Sequence, residues 1–190
     1  MANKVEYGFR KVHYAVITES GGTITYGDPV DMSADGSGAI SISLAPAGEQ
    51  NDVYADDVIW FSETTNQGYE GELVLTKVSD NFKKDVMGMV QDTKGSLVES
   101  ADAVFKNFAM CFEVQGNEKP TRTWYYYCSV ARPTENANTK EAQTTPAQKT
   151  LTIKAMPRPT DHKVKISHTK SGTTDTTFDD FFDEVQEAQS

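Results

Sequence analysis

Cysteine and histidine are scarce in this 190-residue chain: two of the first, Cys111 and Cys128, and three of the second. Two cysteines make neither a disulfide framework nor a four-ligand zinc set. His13, His162 and His168 are scattered, with no His-x-x-x-His pair to begin a metal triad. No apolar run approaches the ~20 residues that cross a bilayer. Residues 1–7 hold no apolar stretch of the signal-peptide kind. These absences predict a protein made and kept soluble in the cytoplasm, with no membrane partner and with both cysteines reduced in the core. Lying on adjoining expected strands, the two are candidates for cross-strand neighbours.

Chemical motifs are missing too. There is no Walker loop and no Gly-x-Gly-x-x-Gly. Gly36-Ser37-Gly38 lacks the spacing of a nucleophile elbow and reads as a turn. Asp179-Asp180 and Asp183-Glu184 lack the alternation of a calcium loop and read as a solvated helix face. The expectation is no enzyme, no cofactor and no metal. Basic residues are also few, 18 against 28 acidic, for a net charge of −10. Proteins that grip duplex DNA neutralise its phosphates with Lys and Arg. This balance suits plain solubility, or a surface that DNA passes without sticking.

What is present is alternation. Residues 12–18, 40–45, 72–76, 108–114, 123–131 and 150–155 repeat apolar side chains with period two, the mark of half-buried strands. Gly21-Gly22 turns the first of them into 23–26 as a hairpin. Residues 107–114 and 123–131 flank a turn-rich stretch and predict a long hairpin. Its second strand has Trp124, Tyr126, Cys128 and Val130 on one face, with Tyr125 and Tyr127 on the other. Ser79 caps a short helix through Phe82, Val86 and Met89, with Gly88 near its end. A C-terminal helix follows from Phe178, Phe181, Phe182 and Val185 at i, i+3, i+4 and i+7, with Thr177 and Asp180 as capping box. A polar linker, 170–175, tethers it. Residues 45–58 and 133–148 read as long loops, functional or disordered. The expected organisation is one β domain, 1–169, followed by 170–190 as linker and acidic amphipathic helix.

Six segments, in order over residues 4–166, carry a resemblance: Tyr54-Ala55-Asp56-Asp57, Gly68-Tyr69-Glu70-Gly71-Glu72-Leu73, Phe82-Lys83-Lys84-Asp85-Val86-Met87-Gly88, Phe108-Ala109-Met110-Cys111-Phe112-Glu113, Tyr127-Cys128-Ser129-Val130-Ala131-Arg132-Pro133 and Pro157-Arg158-Pro159. The chain resembles the major tail tube proteins of long, non-contractile phage tails. The resemblance implies a mainly β, sandwich- or barrel-like tail tube fold with one flanking helix. It implies hexameric rings stacked into a tube of the virion tail, assembled in the bacterial cytoplasm around a tape-measure protein. Tail terminator and distal tail proteins would bound the tube, and DNA would pass through it without specific binding.

Within that reading Val53 and Tyr54 are candidates for an inter-subunit contact, as apolar groups in an acidic loop. Phe178, Phe181, Phe182 and Val185 are further candidates, docking on a neighbouring subunit or on their own core. Glu70, Glu72 and Glu113 are candidates for the lumen, the alternative being solvent outside the tube. The other class of function is a non-viral β-sandwich binding or adhesin module. A carbohydrate-active enzyme would need paired carboxylates in an aromatic cleft, and Tyr125, Tyr127 and Glu113 are the nearest approach.

Overall fold

The computed structural model describes residues 3–137, 139 and 147–188. In chain order the strands are β1 (Phe9–Ser20), β2 (Thr23–Tyr26), β3 (Val30–Asp31), β4 (Ala39–Ala47), β5 (Gln50–Ala55), β6 (Val58–Thr64) and β7 (Gly68–Leu75). Helix α1 (Asp80–Asp85) precedes β8 (Val90–Gln91), β9 (Leu97–Val98), β10 (Phe108–Val114), β11 (Thr121–Val130), β12 (Lys149–Ala155) and β13 (Lys165–Thr169). The short helix α2 (Thr176–Asp179) comes last and runs into a 3-10 turn, Asp180–Phe182. With 46% strand and 9% helix the protein is mainly β, as the alternation predicts.

The main sheet is antiparallel and runs β2-β1-β10-β11-β12-β7-β4, with β3 on β1 and β13 on β11. It curls until Cα atoms of β4 and β1 come within 8 Å. Among the described residues the curl does not close into a barrel and stays sandwich-like. Leu73, Leu75, Leu151, Ile153, Tyr14 and Phe108 fill its inside. Helix α1 adds Phe82 to this core, and Val86 and Met87 follow directly after it. Ser79 accepts from the Phe82 N–H at 3.1 Å, the predicted cap, and the Phe82 ring meets Tyr14 and Phe108 edge-on. The helix is shorter than its periodicity suggests. Gly88 has φ 71, and a Cβ there would stand 2.8 Å from the Val104 carbonyl. Only glycine accepts both conditions, so the chain leaves the helix before Met89.

A bulge corrects the predicted faces of β11. Phe108 pairs Cys128 while Met110 pairs Tyr125, so one residue of β10, Ala109, stands opposite two of β11, Tyr126 and Tyr127. The extra residue turns Cys128 and Val130 to the side of Tyr125, inside the curl, and leaves Trp124 and Tyr126 on the other. Cys111 pairs Trp124 and lies with it on the outer side. The cysteines are therefore on opposite faces and are not cross-strand neighbours. Both are free and buried, and burial pushes both thiols up.

The expected tethered helix at residues 170–190 is also corrected. Asp175, not Thr177, is the N-cap, accepting from the Phe178 N–H at 3.1 Å. Regular helix ends at Asp179. The segment lies as a strap across the outer side of β1, β10 and β11, where Phe181 and Val185 join Ala15, Ala109, Cys111, Trp124 and Tyr126 in a second hydrophobic cluster. Of the stretch 133–148, residues 138 and 140–146 lie outside the described residues; Glu135 pairs Lys149 at 3.0 Å.

Candidate interaction surfaces

The strap has a built seat. Glu113, near the end of the interior strand β10, is 1% exposed. Arg122 Nε donates to its Oε2 at 2.9 Å and Arg10 Nε to its Oε1 at 2.7 Å. Burial opposes ionisation of Glu113, but these two hydrogen bonds prevail and hold its carboxyl below the usual value. The Arg122 guanidinium lies between the Phe178 and Phe182 rings, 4.0 and 4.1 Å from their centroids. Its Nη1 donates to the carbonyls of Phe178 and Asp179. Trp124 Nε1 donates to the Phe181 carbonyl at 2.8 Å, and His13 stacks on Phe182 at 4.2 Å.

The two ends of the strap are pinned as well. Asp175 accepts from the backbone N–H and the hydroxyl of Ser171, and these bonds with that from Phe178 keep its carboxyl well below the usual range. Arg158, 6% exposed, grips Glu187 and Asp161 and reaches the Tyr26 hydroxyl at 3.0 Å.

The structure places two sets of expected residues at this seat. Phe178, Phe181 and Val185 are 3%, 1% and 9% exposed, buried by their own chain, and Phe182 is half-buried against it. A strap of one helical turn has no stability of its own. It folds where Arg122 and Trp124 satisfy its carbonyls, and that seat lies on its own sheet. Glu113, a lumen candidate, faces this seat and is closed off from solvent.

The other two lumen candidates are open. Glu70 and Glu72 project from β7 on the uncovered face of the sheet. In register beside them lie Lys154 and Thr152 of β12 on one side, and Ala45 and Ser43 of β4 on the other. The backbones here approach closely: a Cβ on Gly71 would stand 1.9 Å from the Ser43 carbonyl. The result is a trough of about 620 Å³ with a largely apolar lining that includes Gly71, Ala131 and Ile153 and with Glu70, Glu72 and Lys154 among the residues around it.

Residues 45–58, expected to be a loop, end β4 and then build a hairpin. Strands β5 and β6 pair over residues 50–64 around Asp56 and Asp57, whose φ of 50 and 61 are those of a tight two-residue turn. A ladder of Gln50, Asp52 and Ser62 side chains braces its base. Above it everything large is in water. Val53 is 55% exposed, Tyr54 66%, Val58 56%, Ile59 54%, Trp60 73% and Phe61 55%. Neither hydrophobic cluster takes a residue from the hairpin. Sequence reasoning found Val53 and Tyr54 but missed the four residues after the turn. Two signals were available, an acidic turn pair and an apolar run directly after it. Asp-Asp is a poorer turn marker than Asn-Gly, and the unbroken run shows no period.

Among the described residues no His, Cys, Asp and Glu stand together to hold a metal ion, and no helix is long and apolar enough to cross a membrane. No protein-family model matches the chain, and no curated protein matches it.

Proposed function

We propose that this protein is a structural subunit that assembles with copies of itself into stacked rings forming a tube, in the manner of a phage tail tube. The observation that carries the reading is the β5–β6 hairpin. Six large apolar side chains stand more than half exposed on one projecting arm. Burying each contributes ~1.5–3 kcal/mol, a strong drive toward a partner. The ordered resemblance of residues 4–166 to tail tube proteins names that partner as the same chain.

In such a tube the open β12-β7-β4 face turns to the bore. Glu70 and Glu72 then meet passing DNA phosphates within a Debye length of ~8–10 Å and keep them from adhering. The strap lies on the same outer side of the sheet, over β1, β10 and β11, and the hairpin links one ring to the next. The tape-measure protein occupies the bore before DNA does, and terminator and distal tail proteins close the ends. The role is mechanical, without a catalytic step, and its place is the virion tail.

Negative-stain microscopy and sedimentation of the full chain over a wide concentration range test this. Rings or tubes are the expected result. A monomer at every concentration, especially one that binds glycans, overturns the reading in favour of a binding module.

A further inference from the structure

The apolar surface of the chain is gathered in few places. Apart from Ile40, the large exposed hydrophobic residues among those described fall into three groups. The hairpin is one. Val5 and Tyr7 form the second, at 57% and 53% exposure. Val90, Val98 and Val104, around β8 and β9, form the third, at 67%, 52% and 78%.

Both smaller groups are held in place. Asn3 Nδ2 donates to the Lys119 carbonyl at 2.6 Å, and Asn117 Oδ1 accepts from the N–H groups of Lys4 and Val5. The turn between β8 and β9 is tied by Asp92, which accepts from the N–H groups of Lys94 and Ser96. Each group therefore offers a formed surface that costs little to order on binding.

The hairpin is apolar on both sides. Cross-strand partners share a face, and neighbours along a strand alternate. Val53 with Phe61, and Ala55 with Val58, occupy one face; Tyr54 with Ile59 occupies the other. Trp60 is the extra residue where the register shifts. A flat contact on one face leaves the other in water.

Charge disfavours the simplest self-contact. Residues 49–64 contain Glu49, Asp52, Asp56, Asp57 and Glu63 and no Lys or Arg. Hairpin against hairpin sets these carboxylates against their own copies. The two smaller groups carry cations at their rims, Lys4 and Lys119 at the first, Lys94 and Lys106 at the second. They also hold carboxylates, Glu6 and Glu118 at the first, Asp92, Glu99 and Asp102 at the second, where Arg132 pairs Glu99, so each is a mixed surface that can meet an acidic arm.

We infer that the hairpin is a two-sided wedge that sits between two further copies of the chain. One face covers the Val5–Tyr7 surface of one copy, and the other covers the Val90–Val98–Val104 surface of the second. This rests on the self-assembly reading and adds its geometry. A dimer satisfies one face only, so the smallest favourable assembly has three copies, and growth is cooperative.

The test uses the full chain in two double variants, Val53→Thr with Phe61→Thr and Tyr54→Thr with Ile59→Thr. Threonine keeps strand preference while removing apolar area. The hairpin stands outside both cores, so the folded monomer keeps its melting temperature. Each variant is expected to raise the critical concentration for assembly by about tenfold or more, the effect of ~1.4 kcal/mol in an association equilibrium. A photo-crosslinking residue placed at position 61 or at position 54 identifies the neighbours. The two positions are expected to capture different segments, one containing Val5 and Tyr7, the other Val90, Val98 and Val104. Assembly that survives one of the variants, or crosslinks from both positions to a single segment, overturns the wedge and leaves self-assembly standing. Unmodified protein that never assembles overturns both.

Discussion

The strap and the hairpin are two apolar segments with opposite fates. Both combine large hydrophobic groups with acids, and both lie beyond the curled core. The strap cannot fold alone, because one helical turn leaves most of its carbonyls unpaired. It needs donors, and Arg122 and Trp124 supply them from the sheet beneath. Hydrogen bonds of this kind are directional, so the strap has one seat, which its own chain provides. The hairpin satisfies its own backbone through the β5–β6 ladder. What it lacks is only cover for apolar area, which any complementary surface can give. The strap's burial stabilises the monomer, whereas the hairpin's stabilises whatever the monomer joins.

The largest effect that would break this comparison is truncation after Lys170. Losing Phe178, Phe181 and Val185 together costs at least ~5 kcal/mol, roughly 10–20 °C of melting temperature. Trp124, now fully buried, comes into water and its fluorescence shifts to the red. Trp60→Phe isolates that signal, since the chain has two tryptophans. Phe181→Leu, a milder cut, lowers stability in the same direction. An unchanged melting temperature would mean the strap belongs to another molecule.

Glu113→Gln comes next. Arg122, 7% exposed, then stands buried without a counter-charge, at a cost of ~3–5 kcal/mol read by urea unfolding. The same carboxyl sets an acid limit. Its folded value lies below its ordinary 4.5, so its contribution is complete above that pH and is lost as pH falls through the folded value. Asp175 acts in the same sense below its ordinary 3.8. Stability of the unaltered protein should therefore fall more steeply in acid than that of Glu113→Gln, and parallel curves would remove Glu113 from the latch.

Trp60→Ser is expected to separate the two regions most cleanly. Monomer stability stays within ~0.5 kcal/mol, as for other exposed sites, while assembly weakens. Equal losses in both would mean the hairpin packs on its own domain. The smallest effect is that of Asp57→Gly. Its φ of 61 suits glycine better than aspartate, and the exchange should firm the tip by ~0.5 kcal/mol. Slower amide hydrogen exchange in β5 and β6 checks it.

Much of the fold was legible because strands that line one core repeat with period two. The expected strands at 12–18, 108–114 and 150–155 all fall inside observed ones, β1, β10 and β12. The bulge in β11 was not legible, because one inserted residue depends on how β10 lies against it. The sites divide the same way. The phenylalanine spacing at 178, 181 and 182 marked a face that must be covered, but nothing local says which molecule covers it. Glu113 looked like an open strand carboxylate because its partners Arg10 and Arg122 lie 103 and 9 positions away. The apolar run at 58–61 lacked a period, so β6 went unread.

By itself the sequence determined a mainly β chain, the side chains that must leave water, and an excess of acid. It could do so because apolar burial follows from composition and spacing and has no direction. Only the tertiary structure decided that the strap lies on its own sheet and that the hairpin stands free. Those outcomes turn on where Arg122, Trp124 and Arg158 converge from distant parts of the chain, and hydrogen bonds and ion pairs choose a partner by geometry that no local pattern encodes.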